Sequence, residues 1–203
     1  MRRYPIFINK VKIENMGKYK LQNGIRVRHN LVLSLSEKTN GEVLSFILMN
    51  PSLADTLQSD DTVNSMLIFV DRLIKEDARF EKVHEVVVLN LFPFYEPSSK
   101  SLGEVIKKVN GIAQLLNTNQ RHIRKQLKKS HYVVLGWGNV PPKISAVIHK
   151  DETKKILEGI KKLRHIKGVF SMESRKKTGL TKKGQPRHPK YLAKQDLKLI
   201  KFL

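Results

Sequence analysis

Three near-continuous apolar runs, VLSFILM at 43–49, VVVLNL at 86–91 and YVVLGW at 132–137, are separated by helix-length segments. A strand reads as unbroken apolar sequence when helices cover both its faces, and a helix between two such strands brings the chain back for parallel pairing. This alternation predicts an α/β chain, a three-layer α/β/α sandwich around a central, mostly parallel sheet of four to five strands. The strands are expected at 31–35, 43–49, 85–91, 131–137 and 168–172. Helices are expected at 63–75, 105–129 and 144–163. In the first, Met66, Leu67, Val70, Leu73 and Ile74 share one face. The second is long enough to break near Asn110-Gly111 or at Asn117. Residues 60–62 and 117–119 carry N-cap chemistry.

The 203 residues suffice for a single domain at 30–203, preceded by an N-terminal extension, 1–29, that is irregular or forms a hairpin at Asn23-Gly24. Cysteine is absent, so disulfides and thiolate metal sites are excluded. The basic N-terminus lacks an apolar signal core, and no apolar run reaches the roughly 18 residues of a membrane span. A cytoplasmic protein without membrane association is expected. Net charge is +21, and its distribution is uneven. Residues 1–100 hold 14 Lys/Arg against 12 Asp/Glu, whereas residues 101–203 hold 25 against 6. Compositional drift would enrich lysine evenly along the chain; concentration in one half points to a basic face and a polyanionic partner.

The polar residues that interrupt the apolar pattern fall just after the strands, where open α/β sheets bind ligands. Asn50-Pro51-Ser52 and Asp55 follow the second strand, with Asp60-Asp61-Thr62 next. The third strand ends in Asn90, Phe92, Phe94 and Tyr95, and the fourth in Gly136-Trp137-Gly138-Asn139. The last leads to a basic Gly/Pro loop holding Arg187, His188 and Lys190. Each piece also has a plain structural reading: a turn at Asn-Pro, a helix cap at Asp60 or Asp61, core packing for the aromatics, tight turns at the glycines. Walker A, GxGxxG, HExxH and GxSxG sequences are absent, which argues against nucleotide hydrolases and serine hydrolases. Asp55, Asp60 and Asp61 form the densest carboxylate cluster, the minimum for a metal-dependent nuclease.

In this order, LMNPSLAD, DDT, VVVLNLF, VVLGWG and GQPRHPKYL resemble a bacterial and phage family known as a domain of unknown function, DUF1643, over about residues 26–195. That family in turn is similar to a distant branch of the uracil-DNA glycosylase superfamily. The resemblance implies that Asn50, in Asn50-Pro51, positions the attacking water, and that Asn90 reads the edge of a flipped base. His188, in His188-Pro189, would stabilise charge on the departing base. Pro51, Ser52 and Trp137 would complete the base pocket. Two departures stand out: Lys190-Tyr191-Leu192 replaces the Ser-Pro-Leu that usually follows His-Pro, and the Gly-Gln-Asp-Pro-Tyr form of the first motif is missing. Both point away from uracil as substrate.

The chemistry of the residues is compatible with this. Breaking an N-glycosidic bond builds positive charge on the sugar and negative charge on the base, so donors are needed at the base and a water or carboxylate at the sugar. An Asn orients water but cannot take its proton, which makes Asp61, or else Asp55, the expected base. Reaching a paired base requires flipping it, with Phe92, Phe94 or Tyr95 stacking against it. Arg175, Lys176, Lys177, Lys182, Lys183, Arg187 and Lys190 are expected to hold phosphates. The expected activity is that of a monofunctional, monomeric DNA glycosylase without metal or cofactor. Its expected substrate is single- or double-stranded DNA, in particular phage DNA carrying a modified base such as glucosylated hydroxymethylcytosine. A non-catalytic nucleic-acid-binding protein and the metal-dependent nuclease remain as alternatives.

Overall fold

The computed structural model describes residues 2–13, 25–35, 41–96, 101–192 and 197–203; the expected turn at Asn23-Gly24 lies outside them. Seven strands form one mixed sheet: β1 (Lys10–Lys12), β2 (Asn30–Ser34), β3 (Glu42–Leu48), β4 (Val83–Asn90), β5 (Tyr132–Gly136), β6 (Gly168–Glu173) and β7 (Lys198–Lys201). Their spatial order is β1-β2-β4-β3-β5-β6-β7. The middle four, β4-β3-β5-β6, are parallel, while β2 adds antiparallel to β4, β1 to β2 and β7 to β6.

The sheet is therefore wider and more antiparallel than the four to five strands expected. The added strands are the outermost ones, KVK and KLIK. Strands this short and lysine-rich carry no apolar signal, and charged side chains suit an edge because they discourage further pairing. The parallel strands obey the period-2 rule. Val43, Ile47, Val87, Leu89, Val133 and Leu135 enter one core layer, while Leu44, Phe46, Leu48, Val86, Val88 and Val134 enter the other.

Helix α1 (Asp61–Glu76) joins β3 to β4 across one face, where Val63, Met66, Leu67, Phe69 and Val70 are buried. Helices α2 (Leu102–Lys107), α3 (Ile112–Leu127) and α4 (Ala146–Lys161) cover the other. The break between α2 and α3 falls at Gly111, whose φ of 71° lies in the left-handed region. The alternative break at Asn117 does not occur. Residues 117–119 lie inside α3, and Asn119 is buried there, donating to the carbonyls of Asn90 (2.9 Å) and Leu91 (3.2 Å). Its Oδ1 meets His29 Nδ1 at 2.9 Å.

Residues 25–29, just ahead of β2, run beside 93–95: Arg28 N–H donates to the Pro93 carbonyl and Tyr95 N–H to that of Arg26. Val27, Arg28 and His29 are fully buried. Among the described residues no helix is long and apolar enough to cross a membrane.

Chain order fixes where a ligand can sit. From β3 the chain moves to β4 on one side, then returns past β3 to β5 on the other. The connections leave the carboxyl ends of β3 and β5 in opposite directions, which opens a crevice between them.

Candidate functional site

A cleft of about 390 Å3 occupies that crevice, within the range of about 300–1,000 Å3 usual for sites that enclose a small molecule. Leu48–Ser52 from the end of β3 form one wall and Trp137–Pro142 from the end of β5 the opposite one. Thr62, in the first turn of α1, and Thr181, Arg187, His188, Lys190 and Tyr191 from the late loop complete the lining. Of the residues expected at the site, Asn50, Pro51, Ser52, Trp137, Arg187, His188 and Lys190 are brought together here.

Two glycines let the late loop close over β5. A Cβ on Gly136 would lie 3.1 Å from both Leu48 Cδ2 and Pro189 Cδ, while Gly138 turns the chain with φ 74°. Gly138 N–H then donates to the Pro186 carbonyl at 2.8 Å. Trp137 is buried and donates Nε1–H to Gln185 Oε1 at 2.8 Å. Thr181 Oγ1 donates to Asn139 Oδ1 at 2.6 Å and receives the Gln185 N–H at 3.2 Å. Arg187 spends its guanidinium inside the loop, donating to the carbonyls of Thr178 and Leu180 at 2.9 and 2.8 Å.

His188 is thereby held against the cleft. Its Nδ1 accepts the Lys190 N–H at 3.2 Å, so the ring proton is carried on Nε2. Burial, reinforced by the Lys190 ammonium and opposed by Asp60, pulls its pKa down to about 4. At neutral pH it is an uncharged donor. Asn50 is fixed from the other wall: Nδ2 donates to the Glu96 carbonyl and, at 3.4 Å, to that of Pro51. Both amide hydrogens are directed at backbone, which leaves Oδ1 as an acceptor for the cleft.

The carboxylates go elsewhere. Asp60 caps α1, its Oδ1 accepting from Thr62 and Val63 N–H at 2.9 Å and its Oδ2 from Ala54 N–H at 3.0 Å. Asp55 Oδ1 closes a turn by accepting from Leu57 and Gln58 N–H at 2.8 Å. Asp61, the expected base, is exposed and paired with Arg2. Among the described residues the cleft lining contains no Asp or Glu. Among the described residues no three His, Asp or Glu side chains converge as metal ligands. Asp60→Ala removes three N–H partners at once and is expected to cost about 2 kcal/mol, the upper end for a helix cap. Urea unfolding measures it.

The expected stacking aromatics are displaced as well. Phe92 and Phe94 are fully buried in the α2–α4 core layer, because their backbone continues beside 26–28 instead of turning toward the cleft. Tyr95 packs under the Arg26 guanidinium at 4.7 Å and donates to the Leu53 carbonyl. Tyr191 stands at the lip instead: it is 56% exposed, with its ring centroid 6.1 Å from that of His188. Lys182 and Lys183 are exposed beside the cleft on the turn closed by Gly184. Arg175, Lys176 and Lys177 line a separate hollow with Glu173 and Lys198.

Behind the β3 wall lies a polar group that the sequence did not flag as a unit. Asn90 is fully buried beside Leu48 in the β3–β4 register, and neither end of its amide has a hydrogen-bond partner among the described residues. The same holds for Ser52 Oγ, on the cleft wall, and for Arg28 Nε and Nη2. Arg28 Nη1 donates to the Ala54 carbonyl. Buried donors without partners are costly, so this corner behind the wall retains unused hydrogen-bonding capacity. Asn90 and Ser52 carry a sequence signal, their place just after strands, whereas nothing in the sequence marks Arg28 as their neighbour.

A family model described as "Protein of unknown function (DUF1643)" matches residues 28–190. No curated protein and no solved structure matches the chain.

Proposed function

The chain belongs to the DUF1643 family, and from that footing we propose that its cleft is the active site of a monofunctional DNA glycosylase related to the uracil-DNA glycosylase superfamily. The observation that carries the reading is the convergence of Asn50 and His188 on one cleft at the sheet's switch point, as an oriented acceptor and a neutral donor.

In the proposed reaction a flipped nucleotide enters the cleft and the C1′–N bond breaks, its electron pair staying with the base. His188 Nε2–H stabilises the anion that forms, and water held at Asn50 Oδ1 adds its oxygen to C1′ while its proton goes to the base nitrogen or to solvent. With no carboxylate among the described lining residues, the proposal places most of the catalytic demand on the leaving group. Tyr191 is the proposed stacking residue, and Lys182, Lys183 and Lys190 are the proposed phosphate contacts; Asn90, expected to read the base edge, lies buried behind the β3 wall and outside the cleft lining. The departures from the uracil-type motifs favour a modified pyrimidine of phage DNA, such as glucosylated hydroxymethylcytosine, and a role in defence.

The test is incubation, with EDTA present, on DNA containing normal, uracil or glucosylated hydroxymethylated bases, followed by alkali and mass spectrometry. Free base with alkali-dependent breaks is expected on the modified DNA. Intact DNA throughout would reject the proposal, and magnesium-dependent breaks without free base would indicate a nuclease.

The state of His188 sets the pH dependence. With a pKa of about 4 His188 stays neutral from pH 8 to 5, so the rate is expected to be flat across that range, whereas an ordinary histidine would change charge state, and with it the rate, near 6.5. Because the folded pKa is depressed, stability declines below about pH 6.5, where only the unfolded chain takes up the proton. Following the rate together with circular dichroism separates the two effects.

A further inference from the structure

The late loop accounts for only part of the second half's charge. Exposed Arg121, Arg124, Lys125 and Lys128 lie on the C-terminal half of α3, and exposed Lys161, Lys162 and Arg164 lie at the end of α4. Both helices run antiparallel to the strands they precede. Leu127 leads into the start of β5 and Lys161 into the start of β6. These cations therefore sit at the amino ends of the parallel strands, on the opposite edge of the sheet from the cleft. The length of β5, about 17 Å at 3.3 Å per residue, separates the two edges.

Between the two helix ends runs a groove of about 330 Å3, with Leu127, Gly159 and Leu163 among its lining residues and Arg124, Lys128 and Lys162 as cations on its walls. A Cβ on Gly159 would meet nothing within 4 Å. Among the described residues Glu158 is the one carboxylate that lines it, and Lys154 faces that group at 3.8 Å. Cations in the last turn of a helix complement its dipole, but that accounts for one or two per helix and not for residues 121–128 together. Arg121, Arg124/Lys125 and Lys128 recur on one stripe, spanning about 10 Å of helix axis.

We propose that this groove is a second polyanion-binding surface, for the phosphate backbone of a second DNA segment, so that the protein bridges two duplexes. A membrane surface fits less well. Among the described residues the large exposed apolar side chains are Ile6, Leu53, Leu57, Ile68, Val147, Leu180, Tyr191 and Leu203, and none of them lines the groove to insert into lipid. The inference rests on the reading that the cleft face binds DNA.

The experiment uses the full chain. A biotinylated duplex on beads is loaded with protein, washed, and offered a fluorescent duplex; the comparison is Arg124→Gln/Lys128→Gln/Lys162→Gln/Arg164→Gln. Wild type is expected to capture the second duplex and to lose it steeply with salt. The variant is expected to stay on the first duplex while capture of the second falls at least about tenfold. Unchanged capture by the variant overturns the inference, as does wild type that holds the first duplex and captures no second. Vesicles rich in phosphatidylglycerol, bound by wild type and not by the variant without any second duplex being held, overturn it in favour of a membrane. Failure of wild type to bind even the first duplex overturns the DNA reading of the cleft face as well. Circular dichroism of the variant controls for folding.

Discussion

Alanine at Asn50 is expected to reduce base release by a factor on the order of 10³. The amide is held by the Glu96 and Pro51 carbonyls, so its oxygen keeps one direction without reorganising during the reaction. On the proposed mechanism truncation removes the acceptor that orients water; it also takes this donor from the Glu96 carbonyl, at about 1 kcal/mol in stability. A rate effect far larger than the stability effect is therefore expected, measured as single-turnover base release alongside urea unfolding. His188→Ala is expected to act on the same step by removing the donor to the leaving base. The Asn50→Ala/His188→Ala double variant should lose little beyond either single one, as happens when residues act as a unit. Base release within threefold of wild type in Asn50→Ala would reject the assignment of the cleft.

The second large effect is expected at Trp137, where packing and positioning meet. Its indole is 2% exposed in the α2–α4 core layer and forms part of the cleft wall. Trp137→Ala is expected to cost about 3–5 kcal/mol, lowering the melting temperature by roughly 10 °C for a chain of this size. Trp137→Phe loses the bond to Gln185 Oε1 and leaves a void where the rest of the indole packed, so about 1–3 kcal/mol is expected. Its more informative effect is on catalysis. Gln185 anchors the loop that presents His188, and loosening it should lower kcat more than it raises KM. A Trp137→Phe protein with unchanged kcat would show that the indole bond does not position the loop.

Much of the parallel core was legible. Runs such as VLSFILM have few alternatives once both faces must be buried, and the amphipathic stripe of α1 follows from local rules, whereas the break before α3 was narrowed only to Asn110-Gly111 or Asn117. The outer strands were not legible. KVK and KLIK take β structure only because β2 and β6 offer them unpaired N–H and C=O groups. At the site, Asn50 and His188 were marked by prolines and by their place after strands. Phe92 and Phe94 looked the same by those criteria and are core residues. Tyr191, which reaches the lip, lies in the His188-Pro189 motif and not after a core strand, and position in a sequence does not show which aromatic reaches the cleft.

The parallel α/β core, the concentration of charge in the second half and the family are all written along the chain, because hydrophobic period, composition and motif order are one-dimensional properties. Only the tertiary structure decided which polar residues share the cleft. Asp55, Asp60 and Asp61 are chemically equal in sequence, yet one closes a turn, one caps α1 and one pairs with Arg2. It also decided that the cationic charge divides between two edges of the sheet, since the antiparallel run of α3 and α4 carries their C-terminal lysines and arginines away from the strand ends where the cleft lies. The physical reason is the same for both: a side chain's role depends on which partner the fold brings within hydrogen-bond or Coulomb range, and those partners are distant along the chain.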